Sequence, residues 1–285
     1  MTLEKWLVQP GQTRVIDLED VRKLKIGLVG GQVDVVAHDE PGVRIEVHSV
    51  TIKDLRIEAD GSSVEIDHAQ LRWDNFLEAF RNFGSGGPKA EISVAVPRSI
   101  ALTLGVVSAS ALISGLESDA KLNTVSGDII VDGLAGDLSV NAVSGDVQIR
   151  GLTGALSANS VSGDVAATGT IRKTDIDTVS GAALIDSDGP IQSAGFNTVS
   201  GATTLRLDEG LPANYVLRSV SGKLLVDGNV PQGAGGIGAS YTGSTGELSG
   251  SFVDVRANTV SGDITILRRE SAGAAPGDAP TPEEW

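Results

Sequence analysis

Residues 123–129 read Asn123-Thr124-Val125-Ser126-Gly127-Asp128-Ile129. The centre of that phrase returns at Val143-Ser144-Gly145, Val161-Ser162-Gly163, Val179-Ser180-Gly181, Val199-Ser200-Gly201, Val220-Ser221-Gly222 and Val260-Ser261-Gly262. Successive valines stand 18, 18, 18, 20, 21 and 40 residues apart. A fixed period of this size marks a solenoid, whose single repeat cannot bury its apolar face without neighbours. The prediction is an all-β chain wound as a parallel β-solenoid, or β-helix, with about 18–21 residues per coil. Parallel crossovers favour the right hand, and that hand is expected here.

A second beat divides each coil. Leu134-Ala135-Gly136-Asp137 follows Val125 by nine residues, and Leu152-Thr153-Gly154-Ala155 follows Val143 by nine. Alternation then sends Ile129, Val131, Leu134, Leu138 and Val140 inward. It leaves Ile130, Asp132, Ser139 and Asn141 outside or at corners. Stacking places Ile129, Val147, Val165, Ala183, Thr203, Leu224 and Ile264 in one inward column. The Val-Ser-Gly valines are expected to form another. Their glycines are assigned to corners that need positive φ, and the adjoining Ser and Asp to bonds with backbone groups. Asn123, Asn141, Asn159, Asn197 and Asn258 recur two residues before the valine, with Asp177 and Ser219 as substitutes. Stacked amides of this kind can bond along a column. Eight or nine coils would give a rod on the order of 40 Å.

Outward from the array the pattern loosens. Residues 1–24 read as a leader or cap. Residues 25–100 read as irregular early β coils, where Val29-Gly30-Gly31-Gln32-Val33-Asp34-Val35 is a weak copy of the phrase. They are interrupted at 69–84, where Leu71, Trp73, Phe76, Leu77, Phe80 and Phe83 fall at helical spacing. A short helix is expected near 70–83, either packed on the solenoid or docking a partner. Trp73, Phe76, Phe80 and Phe83 are the candidate partner-binding residues, because such clusters anchor interfaces. The regular solenoid is assigned to 101–268. Within it, the Gly/Ser-rich stretch 228–250 reads as a loop or a degenerate coil. Arg268-Arg269-Glu270 reads as a charged guard on the final edge. The composition of 269–285 predicts a disordered acidic tail.

Function is bounded mainly by exclusion. A net charge of −15 argues against nucleic acid and anionic membranes as partners. The chain has no Cys, hence no disulfide or thiolate metal site. It has no secretory signal pattern and no apolar run of the roughly 20 residues that span a bilayer. A cytoplasmic protein without direct membrane insertion is therefore expected. Asp128, Asp146, Asp164 and Asp263 stack, but Ala182, Ala202 and Lys223 break the row. The Gly-Gly-x-Gly-x-Asp pattern of calcium-binding repeats is also missing, so no metal or cofactor is assigned. A serine nucleophile needs a base within reach, and His38, His48 and His68 all precede the regular array. No catalytic residue is assigned.

The Val-Ser-Gly-Asp phrases, together with Val29 to Val35 and Val94-Ala95-Val96-Pro97, resemble the bacterial putative-adhesin family of β-strand-repeat proteins. The resemblance spans roughly residues 25–268. It implies a parallel β-solenoid of unknown function without established catalytic residues. The expected role is a non-enzymatic scaffold or binding module for a protein or polysaccharide. Two alternatives stand beside it. One is a bactofilin-like polymer that self-associates through the solenoid ends; the other is a carbohydrate-active β-helix enzyme.

Overall fold

The structure is a computed structural model that describes residues 3–68, 87–231, 238–248 and 250–269. No helix occurs among the described residues. The helical insertion expected near 70–83 lies outside them.

The first third of the chain holds β1 (Glu4–Val8), β2 (Arg14–Leu18), β3 (Lys23–His38), β4 (Val43–Thr51), β5 (Leu55–Asp60), β6 (Ser63–His68) and β7 (Lys89–Pro97). Then come β8 (Ala101–Leu116), β9 (Ala120–Thr124), β10 (Ile129–Ala135), β11 (Leu138–Ala142), β12 (Val147–Ser160), β13 (Val165–Thr178) and β14 (Ala183–Ser187). The last third holds β15 (Ser193–Thr198), β16 (Thr203–Leu207), β17 (Ala213–Ser219), β18 (Leu224–Val226), β19 (Ala239–Thr245), β20 (Val253–Thr259) and β21 (Ile264–Arg268).

Each regular coil contributes two strand segments joined by a Val-Ser-Gly corner, so the strands stack in two ladders. One runs β1-β5-β6-β3-β8-β9-β11-β12-β13-β15-β20-β17-β19. The other runs β2-β4-β7-β3-β8-β10-β12-β13-β14-β16-β21-β18. Inward side chains of both ladders share one aliphatic core. Leu134, Leu138 and Val140 are buried, while Ile130 and Asp132 are exposed, as strand alternation requires. At about 4.8 Å per strand the longer ladder spans on the order of 55 Å, because strands before residue 101 add layers to the regular array.

Those early strands are more ordered than an irregular leader would be. β3 is a complete coil in register with β8. Its other edge takes β6 beside Lys23–Gly27 and β7 beside Gly30–His38, both parallel. Beyond them the direction reverses. β5 is antiparallel to β6 and β4 to β7, while β1 and β2 add the outermost layer, antiparallel to β5 and β4.

The other end breaks sequence order. β15 and β16 pair with β20 and β21, and only then do β17 and β18 stack on those. The inward column therefore runs Ala183, Thr203, Ile264, Leu224, not in chain order. β19 covers β17 as an antiparallel strand, so the described part of 228–250 is a return strand and not a parallel coil. Arg268 does not guard an edge. It donates to the Leu211 carbonyl (2.6 Å) and to Tyr215 Oη (2.9 Å), tying the last strand inward.

Two corner assignments need correction. None of Gly127, Gly145, Gly163, Gly181, Gly201, Gly222 or Gly262 has positive φ. They are glycine because the coils touch there: a Cβ on Gly145 would lie 2.0 Å from the Gly127 carbonyl oxygen. The left-handed bends fall in the other half-coil, as at Gly133 (φ 70). The valines are corrected as well. Val125 is buried, but Val143, Val161, Val179, Val199, Val220 and Val260 face outward with 37% to 54% of their surface exposed. Alternation decides this: Leu138 and Val140 point in, Asn141 out, Ala142 in and Val143 out.

Candidate groove along the corner columns

Each corner is fixed by bonds to the coil beneath. Ser144 donates both its N–H (2.8 Å) and its Oγ (3.0 Å) to the Val125 carbonyl. Ser126, Ser162, Ser180, Ser200, Ser221 and Ser261 make the corresponding Oγ bonds. Asp128 Oδ1 accepts the Asp146 N–H (3.1 Å), Asp146 Oδ1 the Asp164 N–H (2.9 Å), and Asp164 Oδ1 the Ala182 N–H (2.8 Å). A carboxylate that accepts a backbone donor one coil away is held as a cap, so the Asp column is built into the coil stacking. The inward residue before the valine closes the turn. Thr124 Oγ1 accepts the Gly127 N–H (3.0 Å) and donates to the Gly127 carbonyl (2.6 Å), and Ser160 does the same at Gly163.

The Asn column forms the ladder expected of it. Asn141 Nδ2 donates to Asn123 Oδ1 (3.0 Å), Asn159 to Asn141 (3.0 Å), Asn197 to Asp177 (2.8 Å) and Asn258 to Asn197 (3.0 Å). Asn258 follows Asn197 directly because β20 stacks on β15. Replacing Asn141 by alanine removes its bonds to both neighbours. The expected cost is about 1–2 kcal/mol, read as a lower urea midpoint, whereas Asn141→Ser should recover part of it. A midpoint equal to that of the parent would show the ladder contributes nothing.

Between the amide column and the outward valines lies a groove. Its first part, about 440 Å³, runs from Asn123 and Val125 to Asp177 and Val179, over a floor of Thr124, Ala142, Ser160 and Thr178. A second part of about 330 Å³ shares Asp177 and Thr178 and continues past Val199 to Val260. One wall is a row of amides and the other a row of isopropyl groups, buried at Val125 and about half exposed from Val143 onward. Asp177 is the single ionisable residue lining either part. Such a surface suits an elongated, largely uncharged occupant with an apolar side. Apolarity alone points these valines to the core, whereas strict alternation carried through the corner turns them outward.

Other candidate chemistry is sparse. His48 Nε2 lies 2.8 Å from Ser93 Oγ on an exposed face, and no carboxylate among the described residues hydrogen-bonds that imidazole. No three His, Asp or Glu side chains among the described residues converge on a cation position. No helix among them is long and apolar enough to cross a membrane. Trp73, Phe76, Phe80 and Phe83 lie outside the described residues.

A family model, Toastrack DUF4097, matches residues 21–267. This chain belongs to the Toastrack DUF4097 family. The match covers both the regular coils and β3 to β7, in agreement with the putative-adhesin resemblance of the Val-Ser-Gly-Asp phrases. Among solved structures, a putative lipid binding protein from Parabacteroides distasonis is 16% identical with a TM-score of 0.51, covering 91% of this Toastrack chain and 99% of its own. A putative adhesin from Bacteroides fragilis is 11% identical with a TM-score of 0.44, covering 91% and 100%. The first likeness is one of fold. No curated protein matches the Toastrack chain.

Proposed function

We propose that this Toastrack chain is a non-enzymatic, adhesin-like binding module that holds a macromolecular partner, protein or polysaccharide, along the corner groove. The observation that carries the reading is the unbroken file of outward valines beside the amide ladder. Six aliphatic side chains at equivalent corners are left half in water, and a contiguous apolar strip of this kind commonly marks an interaction surface. The corner Ser and Asp groups are already engaged in holding coils together, which favours binding over catalysis at this face.

The double variant Val161→Glu/Val179→Glu tests it. Both side chains are about half exposed and stand one coil apart, so the paired carboxylates should cost about 1 kcal/mol, and a folded chain is checked by circular dichroism. Partners retained by the immobilised parent, from native extract or from a panel of acidic and neutral polysaccharides, should be lost from the variant. Equal retention by parent and variant would dismiss the groove as the binding face.

End-to-end association is the second reading. Among the described residues β1 and β2 are each paired on one side, with Leu7 and Val15 exposed on these outer strands. The opposite end finishes in the antiparallel β19 and the three-residue β18, so the two ends are not complementary. That geometry favours pairing of like ends over an open polymer. Sedimentation at high protein concentration separates the cases: a dimer supports the paired ends, and a monomer removes the reading.

A further inference from the structure

The amide column breaks at the middle of the groove. Its bonds all have the same polarity, each Nδ2 donating to the coil beneath: Asn141 to Asn123, Asn159 to Asn141, Asn197 to Asp177 and Asn258 to Asn197. Asp177 stands directly above Asn159 in register. An ionised carboxylate has no proton to give, so the rung from Asp177 down to Asn159 is missing. Asn159 Oδ1 and the Asp177 carboxylate face each other across one coil step as two acceptors with no donor between them. The floor is irregular in the same coil. Thr124, Ser160 and Thr198 each accept the N–H of the glycine three residues on, whereas Thr178 Oγ1 is buried with no hydrogen-bond partner among the described residues.

Asparagine at position 177 would close the column. It could accept from Asn197 as Asp177 does, and it could also donate to Asn159. The coil therefore forgoes a bond that the commonest residue of its own column would make. A polar group left without its partner calls for a reason, and a local rule broken at the expense of stability is commonly a functional position. Asp177 and Thr178 are the two residues shared by both parts of the groove. The unmet acceptors thus lie where an occupant would pass in mid-course. They call for a ligand that donates hydrogen bonds.

The rest of the groove selects the kind of ligand. Its polar wall repeats at the coil step, about 4.8 Å. Each column amide carries two N–H groups and uses one within the column, which leaves one per coil. The corner backbone is already bonded from coil to coil, as Val143 N–H to the Thr124 carbonyl and Ser144 N–H to the Val125 carbonyl. An extended peptide repeats every two residues, about 6.6–6.8 Å, and so drifts out of step with the amides. A 1,4-linked pyranose chain advances by close to one coil step per sugar, with hydroxyls on its edges and C–H groups on its faces. We propose that the occupant is a linear, uncharged glycan lying one sugar per coil. Its hydroxyl edge meets the amides and its C–H face the outward valines, while two adjacent hydroxyls donate to Asn159 Oδ1 and Asp177. Asp177 then fixes the register of the sugar chain. From Asn123 to Asn258 the column makes five steps, about 24 Å, the reach of a hexasaccharide. The inference rests on the groove being the binding face and names what it binds.

Asp177→Asn tests the proposal, because stability and binding should move in opposite directions. Its urea midpoint should exceed that of the parent. Isothermal titration of the parent with cellohexaose, mannohexaose and chitohexaose should show binding of at least one, and Asp177→Asn should bind that sugar about tenfold more weakly. Asp177→Ala should lose the sugar too, but with a lower midpoint, since Asn197 then has no acceptor beneath it. The pair separates loss of binding from loss of fold. Three results would overturn the proposal: a parent that binds none of the three, tighter binding of the anionic hexagalacturonate, or undiminished binding by Asp177→Asn. A midpoint of Asp177→Asn at or below that of the parent would overturn its premise. The two readings fail separately. A protein captured on the groove without any sugar leaves the groove standing and overturns the glycan. A hexasaccharide bound equally by the parent and by Val161→Glu/Val179→Glu dismisses the groove itself.

Discussion

Gly163→Ala is expected to destabilise the solenoid by about 3 kcal/mol or more. The added Cβ would sit 2.0 Å from the Gly145 carbonyl oxygen and 2.7 Å from its carbon. Both are backbone atoms, and the corner on each side is held by bonds between coils. Neither coil can yield without breaking its bonds to the next. Gly133→Ala is the natural contrast. Gly133 has φ +70, and a Cβ there meets nothing nearer than the Gly115 nitrogen at 4.0 Å. Its cost is the left-handed backbone alone, about 1–2 kcal/mol. Urea denaturation of the two variants distinguishes close approach from backbone conformation. Because solenoid stability is a sum of neighbouring coil contacts, Gly163→Ala should also lower the m-value by uncoupling the coils on either side. A loss no larger than that of Gly133→Ala, with an unchanged m-value, would defeat the close-approach account.

That contrast also shows which features the sequence could reveal. The period fixed the parallel stacking, because an eighteen-residue return leaves Ile129 above Ala111 and below Val147, as β10 shows with its two neighbours. The amide ladder was legible for the same reason. The side of each valine was equally available, since Asn141, Ala142 and Val143 alternate out, in, out; at this corner periodicity outweighs apolarity. The role of the corner glycines was not available. A glycine demanded by positive φ and one demanded by a carbonyl 2 Å from its missing Cβ look the same in sequence.

The two ends hid their topology differently. Alternation is identical in both chain directions, so nothing in Val43 to Asp60 announced that β4 and β5 run against their neighbours. The inverted order at the other end did leave a trace. The ladder needs an amide or carboxylate after Asn197, which Asn258 supplies and Ser219 does not. An interval of 40 residues before Val260, with Asn restored two positions ahead of it, was compatible with a chain that goes out, turns back and fills the skipped coil.

Acid should weaken the fold through His68 well above the ordinary range of carboxylates. His68 is 1% exposed at the end of β6. Its Nδ1 accepts the Val29 N–H at 3.3 Å, which leaves the proton of the neutral ring on Nε2, a buried atom with no hydrogen-bond partner of normal geometry among the described residues. Burial lowers its pKa from 6.5 to about 4. The Lys89 backbone pulls the other way, and the charge of Lys53 adds to the lowering. Between those two values the unfolded chain binds the proton and the folded chain does not, so stability rises with pH through this window. The contribution is complete above about pH 6.5, and about 3 kcal/mol is lost on reaching pH 4. The neighbouring Asp67 acts in the opposite sense. Burial raises its carboxyl despite the bidentate Arg56, with Glu65 and Glu58 adding to the rise. It therefore offsets part of the loss at the acid end. His68→Asn separates the two, because its Oδ1 can still accept the Val29 N–H while nothing titrates. Urea midpoints of parent and variant, taken from pH 7 to pH 4, should diverge progressively below pH 6.5 in slope, with the parent falling faster. Parallel curves across that range would mean that His68 is not the group through which acid acts.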